Sequence, residues 1–161
     1  NMLEVRRQTP VALCANEGLW RVCDVHEVIK RRAVDVLCFS SNWVGTLGQF
    51  HRLSWQAQGE GLQVCRHTHG ELGLMAAASH HVCLTLPNLV DGNQQVAAMM
   101  EDDILCEPVP TSTGPRWGVP QGTGLCVEVD EGKVAHYHAL YRQHGAFLPY
   151  RREMFTAPGA S

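Results

Sequence analysis

The chain has 161 residues, 45% of them hydrophobic and 18% charged, with a formal net charge of -3. That is enough for one domain with a real core, and it offers no basic field for nucleic acid. No apolar run approaches the roughly 20 residues that span a bilayer, and the start, Asn1 to Arg7, lacks the apolar centre of a signal peptide.

Asn1 ahead of Met2 reads as the remnant of a tag, with Met2 the natural start. Thr9 to Ala15 is a short apolar run of the kind found in a parallel strand covered on both faces. It ends at Asn16-Glu17-Gly18. Val22 to Arg32 predicts a helix, with Asp24 as N-cap, Glu27 as its capping-box partner and a basic last turn. Ala33 to Phe39 is the second strand and Ser40 to Gly45 a loop. Thr46 to Gly59 is the second helix, with Leu47, Phe50, Leu53, Ser54 and Ala57 on one stripe.

Leu62 to Cys65 is the third strand, followed by the dense polar cluster His67-Thr68-His69-Gly70-Glu71. Leu72 to Leu84 predicts the third helix. Pro87-Asn88 makes a turn and Leu89 to Asp91 a weak fourth strand. Strand and helix alternate as in βα units, so the fold class is α/β with parallel strands, as an open sheet or a barrel. After Asp91 the rhythm stops. Thr111 to Gly124 is rich in Gly and Pro and predicts irregular chain. Val134 to Gln143 predicts a terminal helix, and Pro149 to Ser161 a tail.

The seven cysteines, at 14, 23, 38, 65, 83, 106 and 126, are odd in number and include no Cys-x-x-Cys. They predict reduced, mostly buried thiols and a cytoplasmic protein.

The carboxyl ends of parallel strands are where α/β proteins bind ligands and do chemistry. Asn16 and Glu17 follow the first strand, His67 the third, and Asp91, Asn93 and Gln94 the fourth. Asp35 lies on the second. An Asp on one strand and a His on the next form a base and its orienter, suited to removing a proton near neutral pH. Amide and carboxylate oxygens nearby suit a hard cation such as Mg²⁺. Plainer readings stand beside these. Asp35 could hydrogen-bond a loop, and a single strand-end histidine is more often structural than catalytic. Cys65, His67, His69 and Glu71 could instead hold Zn²⁺.

Five stretches, in order, carry a resemblance: Val5 to Leu13; Ala33-Val34-Asp35-Val36 with Val44-Gly45-Thr46-Leu47; Val64-Cys65-Arg66-His67; Leu86-Pro87-Asn88; and Val119 to Asp130. The chain resembles the C-terminal part of the enolase superfamily, in its mandelate racemase and muconate lactonizing branch, over roughly residues 3 to 138. The resemblance implies about strands five to eight of a TIM-type (β/α) barrel, a half barrel. It divides the chain into a partial barrel domain, 2–138, and a C-terminal helix and tail, 139–161. It further implies that Asp35 and His67 form a dyad taking the proton α to a carboxylate, with His69 as the fallback. Asn16 or Glu17 would be the last of three Mg²⁺ ligands. Asp91 would hydrogen-bond the developing charge, with Asn93 as a rival in contact with substrate. An Asn beside the metal resembles the acid-sugar dehydratases, so the implied ligand is a carboxylate-bearing small molecule such as an acid sugar.

The family's Lys-x-Lys base, first two metal ligands and capping domain would all precede Met2. The expectation is therefore weak Mg²⁺ binding, little activity in a monomer, and a homodimer or higher homo-oligomer that hides open sheet edges. The alternatives are a self-associating half barrel without catalysis and a small zinc-binding module.

Overall fold

The computed structural model describes residues 2–68, 70–96, 99–109 and 118–145. Among the described residues, six helices and three strands follow in order: α1 (Met2–Gln8), β1 (Cys14–Ala15), α2 (Val22–Arg31), β2 (Val36–Phe39), α3 (Ser41–Val44), α4 (Leu47–Gly59), β3 (Gln63–Arg66), α5 (Gly73–Cys83) and α6 (Glu131–His144). The strands form one parallel sheet in the order β1-β2-β3. Cys14 pairs with Val36, and Val36 to Phe39 pair with Gln63 to Arg66 in register.

Side chains alternate along each strand. Leu37, Phe39 and Val64 face α2 and α4 and form the core with Leu19, Val25, Ile29, Phe50, Leu53 and Ala57. Cys14, Val36, Cys38 and Cys65 therefore share the opposite, inner face. The predicted stripe of α4 is buried at Phe50, Leu53, Ser54 and Ala57. Burying the apolar faces of α2 and α4 against one sheet is the main stabilising force of the domain.

Several local expectations are corrected. Helix α2 begins one turn earlier than Asp24 would cap it. Arg21 is the N-cap, and Asp24 at the third helical position accepts from the Arg21 backbone N–H at 3.2 Å and its guanidinium at 3.0 and 2.9 Å. The loop after β2 contains a helical turn, α3, because the Ser40 hydroxyl accepts from the Trp43 N–H at 3.3 Å and caps it. The fourth strand reduces to one parallel bridge, Val64 with Leu89. The expected terminal helix, 134–143, is α6 and begins three residues earlier, at Glu131. Only Cys38, Cys65 and Cys83 of the seven free thiols are buried; Cys14, Cys23 and Cys106 are exposed and Cys126 is intermediate.

After α5 the chain returns across the start of that helix. Asp103 accepts from the Gly73 N–H at 2.7 Å, Leu105 is fully buried, and Leu105 pairs antiparallel with Val129. Among the described residues no helix is long and apolar enough to cross a membrane.

Candidate active site at the carboxyl ends of the strands

β3 ends at Arg66, and the next residue, His67, still belongs to the ladder: its N–H donates to the Phe39 carbonyl at 3.0 Å. Alternation turns its imidazole to the inner face, two residues beyond Cys65. The ring is nearly buried and lies on the indole of Trp43, with centroids 4.4 Å apart and planes 27° from parallel. Trp43 is held there by the capped turn α3. Trp20, after β1, leans on Trp43 at 6.4 Å and donates its indole N–H to Glu17 at 3.3 Å. The ends of all three strands are thus joined by aromatic contact. Neither tryptophan was singled out by the sequence pattern; the Ser-x-x-Trp turn after the second strand was the available signal.

The structure does not bring Asp35 to His67. The register that pairs Phe39 with Arg66 sets Ser40, not Asp35, level with His67. Asp35 precedes β2 by one residue and lies five positions below Ser40, about 16 Å along an extended strand. Its carboxylate accepts from Arg6 at 2.7 Å and from the Leu13 N–H at 2.8 Å. Arg6 also donates to the carbonyls of Arg32 and Val34. Asp35 fastens α1 to the amino end of the sheet, and the proposed dyad is corrected on that ground. Level with the imidazole stands the buried hydroxyl of Ser40, engaged with the Trp43 N–H.

Asn16 and Glu17 continue β1 into the same carboxyl rim as His67. The Asn16 Oδ1 is buried and has no hydrogen-bond donor among the described residues, and Glu17 is exposed with one oxygen on Trp20. A buried amide oxygen without a donor suits a hard cation, and the next residue in the chain offers a carboxylate oxygen of the same kind. Two such oxygens fill part of the roughly six positions Mg²⁺ requires, so the remainder must come from elsewhere.

Asp91 is exposed just past the Leu89 bridge. Asn93 is not free to bind substrate: its Oδ1 accepts from the Arg66 N–H at 2.8 Å and its amide donates to Val90 at 2.8 Å. Gln94 closes the same edge, its N–H on the Arg66 carbonyl at 2.9 Å and its side chain accepting from Thr68. His69 lies outside the described residues. Glu71 is drawn away from any zinc set by a buried ion pair with Arg66, whose guanidinium also donates to the Gln94 carbonyl at 2.8 Å. Burial pulls the Arg66 pKa down and the Glu71 charge opposes that pull. Among the described residues no three His, Cys, Asp or Glu side chains converge as ligands for a metal.

Below His67, Cys14, Cys38 and Cys65 share the inner face of the sheet, one on each strand. The neighbouring Cys65 lowers the Cys38 pKa, and Cys38 and burial raise that of Cys65. Burial, then the neighbouring Cys65, raises that of Cys14.

These features can be set against known proteins. The family described as "Enolase C-terminal domain-like" matches residues 1–133. The chain belongs to this enolase family. It is 27% identical over 137 residues to a probable glucarate dehydratase of Streptomyces coelicolor, a match covering 85% of this chain and 32% of that protein. It is 25% identical over 137 residues to a chloromuconate cycloisomerase of Cupriavidus pinatubonensis, covering 84% and 37%. Among solved structures, an enolase from Gibberella zeae complexed with magnesium, formate and sulfate superposes with a TM-score of 0.75 at 25% identity, covering 90% of this chain and 34% of that one. The chain thus spans about a third of the length of these relatives. The parallel sheet with its helices on one face is a segment of the barrel of this superfamily.

Proposed function

We propose that this enolase-superfamily chain carries the proton-transfer side of an active site acting α to a carboxylate, with an acid sugar as the substrate class. What supports this is one observation: His67 stands at the carboxyl end of β3, on the inner face, in the same rim as Asn16 and Glu17. His67 would take the α-proton or return it to a departing hydroxyl. Its ring is fixed by Trp43 rather than by an aspartate on the neighbouring strand. Asn16 and Glu17 would contribute to a Mg²⁺ site, and Mg²⁺ when bound supplies polarisation of the substrate carboxylate. Likeness to a dehydratase and to a cycloisomerase favours lyase or isomerase chemistry over other classes. The test is exchange of the α-proton of six-carbon acid sugars in D₂O with Mg²⁺, followed by NMR. His67→Gln is expected to reduce exchange by about 100-fold or more. A panel on which the wild-type protein exchanges no α-proton would overturn the reading for this chain.

A second reading is self-association without catalysis. It is favoured by Ser40 standing where a carboxylate partner of His67 would be needed, and by β1 as a two-residue edge strand. Light scattering on a size-exclusion column, with and without Mg²⁺, separates the two. A dimer or larger species unchanged by Mg²⁺ and inert in the exchange assay supports association alone.

A further inference from the structure

Trp20 lies in the connection between β1 and α2 with 57% of its area exposed, although indole is among the largest apolar groups a chain can bury. Two contacts fix it there. Its N–H donates to Glu17 at 3.3 Å, and its ring meets that of Trp43 at 6.4 Å between centroids and 57° between planes. Trp43 is itself held by the Ser40-capped turn and by the stack on His67. The two indoles therefore form a fixed wedge at the carboxyl rim, with a carboxylate at the edge of one wall. Among the described residues no lysine or arginine pairs with Glu17. Arg21, next to Trp20 in the chain, is committed to Asp24 at 3.0 and 2.9 Å. The rim thus combines electron-rich rings with one carboxylate that no basic side chain neutralises.

We propose that Trp20, Trp43 and Glu17 form a binding site for a small methylated ammonium ion. Indole is the strongest aromatic partner of a cation and acts within about 6 Å of the ring centre. With the two centroids 6.4 Å apart, one cation can lie within that reach of both rings. Glu17 supplies the counter-charge at the edge of the Trp20 wall. The ligand is methylated because the walls offer rings rather than an array of acceptors. A quaternary nitrogen has no N–H to satisfy, whereas a primary ammonium is strongly hydrated. A sugar ring could also lie on an exposed indole, but it would draw nothing from the charge of Glu17. The site concerns binding alone and stands apart from the proton-transfer reading, since it needs neither Mg²⁺ nor turnover. Glu17 cannot serve Mg²⁺ and an ammonium ion at once, so binding is measured in EDTA.

The experiment is titration of the intact protein with choline and with neohexyl alcohol, its uncharged carbon isostere, read from the indole N–H signals in NMR spectra. Trp55 on α4, 47% exposed, serves as the internal reference. The expected result is that choline moves the Trp20 and Trp43 signals, leaves Trp55 in place, and binds about fivefold or more tightly than the isostere. Trp20→Leu and Glu17→Gln should each weaken choline binding by about threefold or more, and Trp20→Phe should keep part of it. Circular dichroism of each variant confirms that it is folded. A peptide carrying trimethyl-lysine is titrated in parallel and is expected to bind no better than choline. Unmoved Trp20 and Trp43 signals, equal affinity for choline and its isostere, or choline affinity unchanged in both Trp20→Leu and Glu17→Gln would each overturn the proposal. Tighter binding of the peptide would overturn the assignment to a small free ligand.

Discussion

Trp43 lies flat on the imidazole of His67, 4.4 Å between ring centres, and this contact joins the end of β2 to the end of β3 where a carboxylate was expected to do so. Stacked aromatic pairs are worth about 1 kcal/mol beyond the area they bury. Trp43→Leu is therefore expected to lower stability by about 1 to 2 kcal/mol and to move the His67 ring protons downfield as the ring current is lost. Trp43→Phe should retain most of both. Urea unfolding and proton NMR check this; unchanged His67 shifts in the Leu variant would count against the stack.

The Arg66–Glu71 pair is a second determinant of the same loop. Both side chains are almost fully removed from water. Glu71→Gln leaves a buried guanidinium without its counter-charge, a change that costs about 3 to 5 kcal/mol. Replacing both by methionine removes the desolvation penalty along with the attraction and is expected to fall within about 1 kcal/mol of the wild type. Urea denaturation of the single and double variants decides it, and a single variant as stable as the double would refute the buried-charge argument.

Asp35 gives the opposite expectation from a catalytic residue. Asp35→Asn should leave any α-proton exchange within about twofold of wild type, because its carboxylate is a strand length from His67. It should lower stability by about 1 kcal/mol, a value held down by the partial exposure of the Arg6–Asp35 pair. A large loss of exchange with unchanged stability would restore the dyad.

Why this distinction was not legible is physical. The apolar runs and helical stripes disclosed the alternation of strands and helices, because burial against a sheet imposes those periods. The step from apolar Val64-Cys65 to polar residues located the end of β3, and His67 with it. Asp35 sits in an equally apolar run, but alternation does not say where along that run pairing begins. Only register does, and it makes Ser40 the neighbour of His67. Arg66 reads as a surface charge until Glu71 and the Gln94 carbonyl are seen around it. Asn93 has the composition of a binding residue, and its destination is a backbone N–H.

Helix α6 has a pH-dependent attachment. Asp102 accepts from the Tyr137 hydroxyl at 2.7 Å and Lys133 at 2.9 Å, and these bonds, Tyr137 foremost, hold its pKa down to about 2. A carboxyl whose folded pKa lies below its unfolded value of about 3.9 contributes stability that is present above that value and is lost as pH falls through about 2. Amide exchange of residues 131–144 should therefore accelerate in acid between those limits, and Asp102→Asn should show the fast rate at neutral pH. Equal rates for the two proteins across the range would rule the latch out.

Gly73 sets how closely the returning segment approaches α5. A Cβ there would stand 2.5 Å from Asp103 Oδ2 and Leu105 Cδ1 and 2.6 Å from Val109. Gly73→Ala should cost about 1 to 3 kcal/mol by overpacking and should expose residues 99–109 to limited proteolysis. An unchanged digestion pattern would show that the segment yields without detaching.

The outer edge of β3 carries one more consequence. Past Val90 the backbone leaves the sheet, and the side chain of Asn93 takes over the next ladder position by accepting from Arg66, before Gln94 rejoins it. An amide here impersonates a strand. A donor that could template the extended backbone of another molecule is occupied by a side chain that cannot propagate the pairing. Along this edge the Arg66 N–H is closed to further pairing by one side chain, while the backbone of Asn88, Val90 and Gln94 closes the positions on either side.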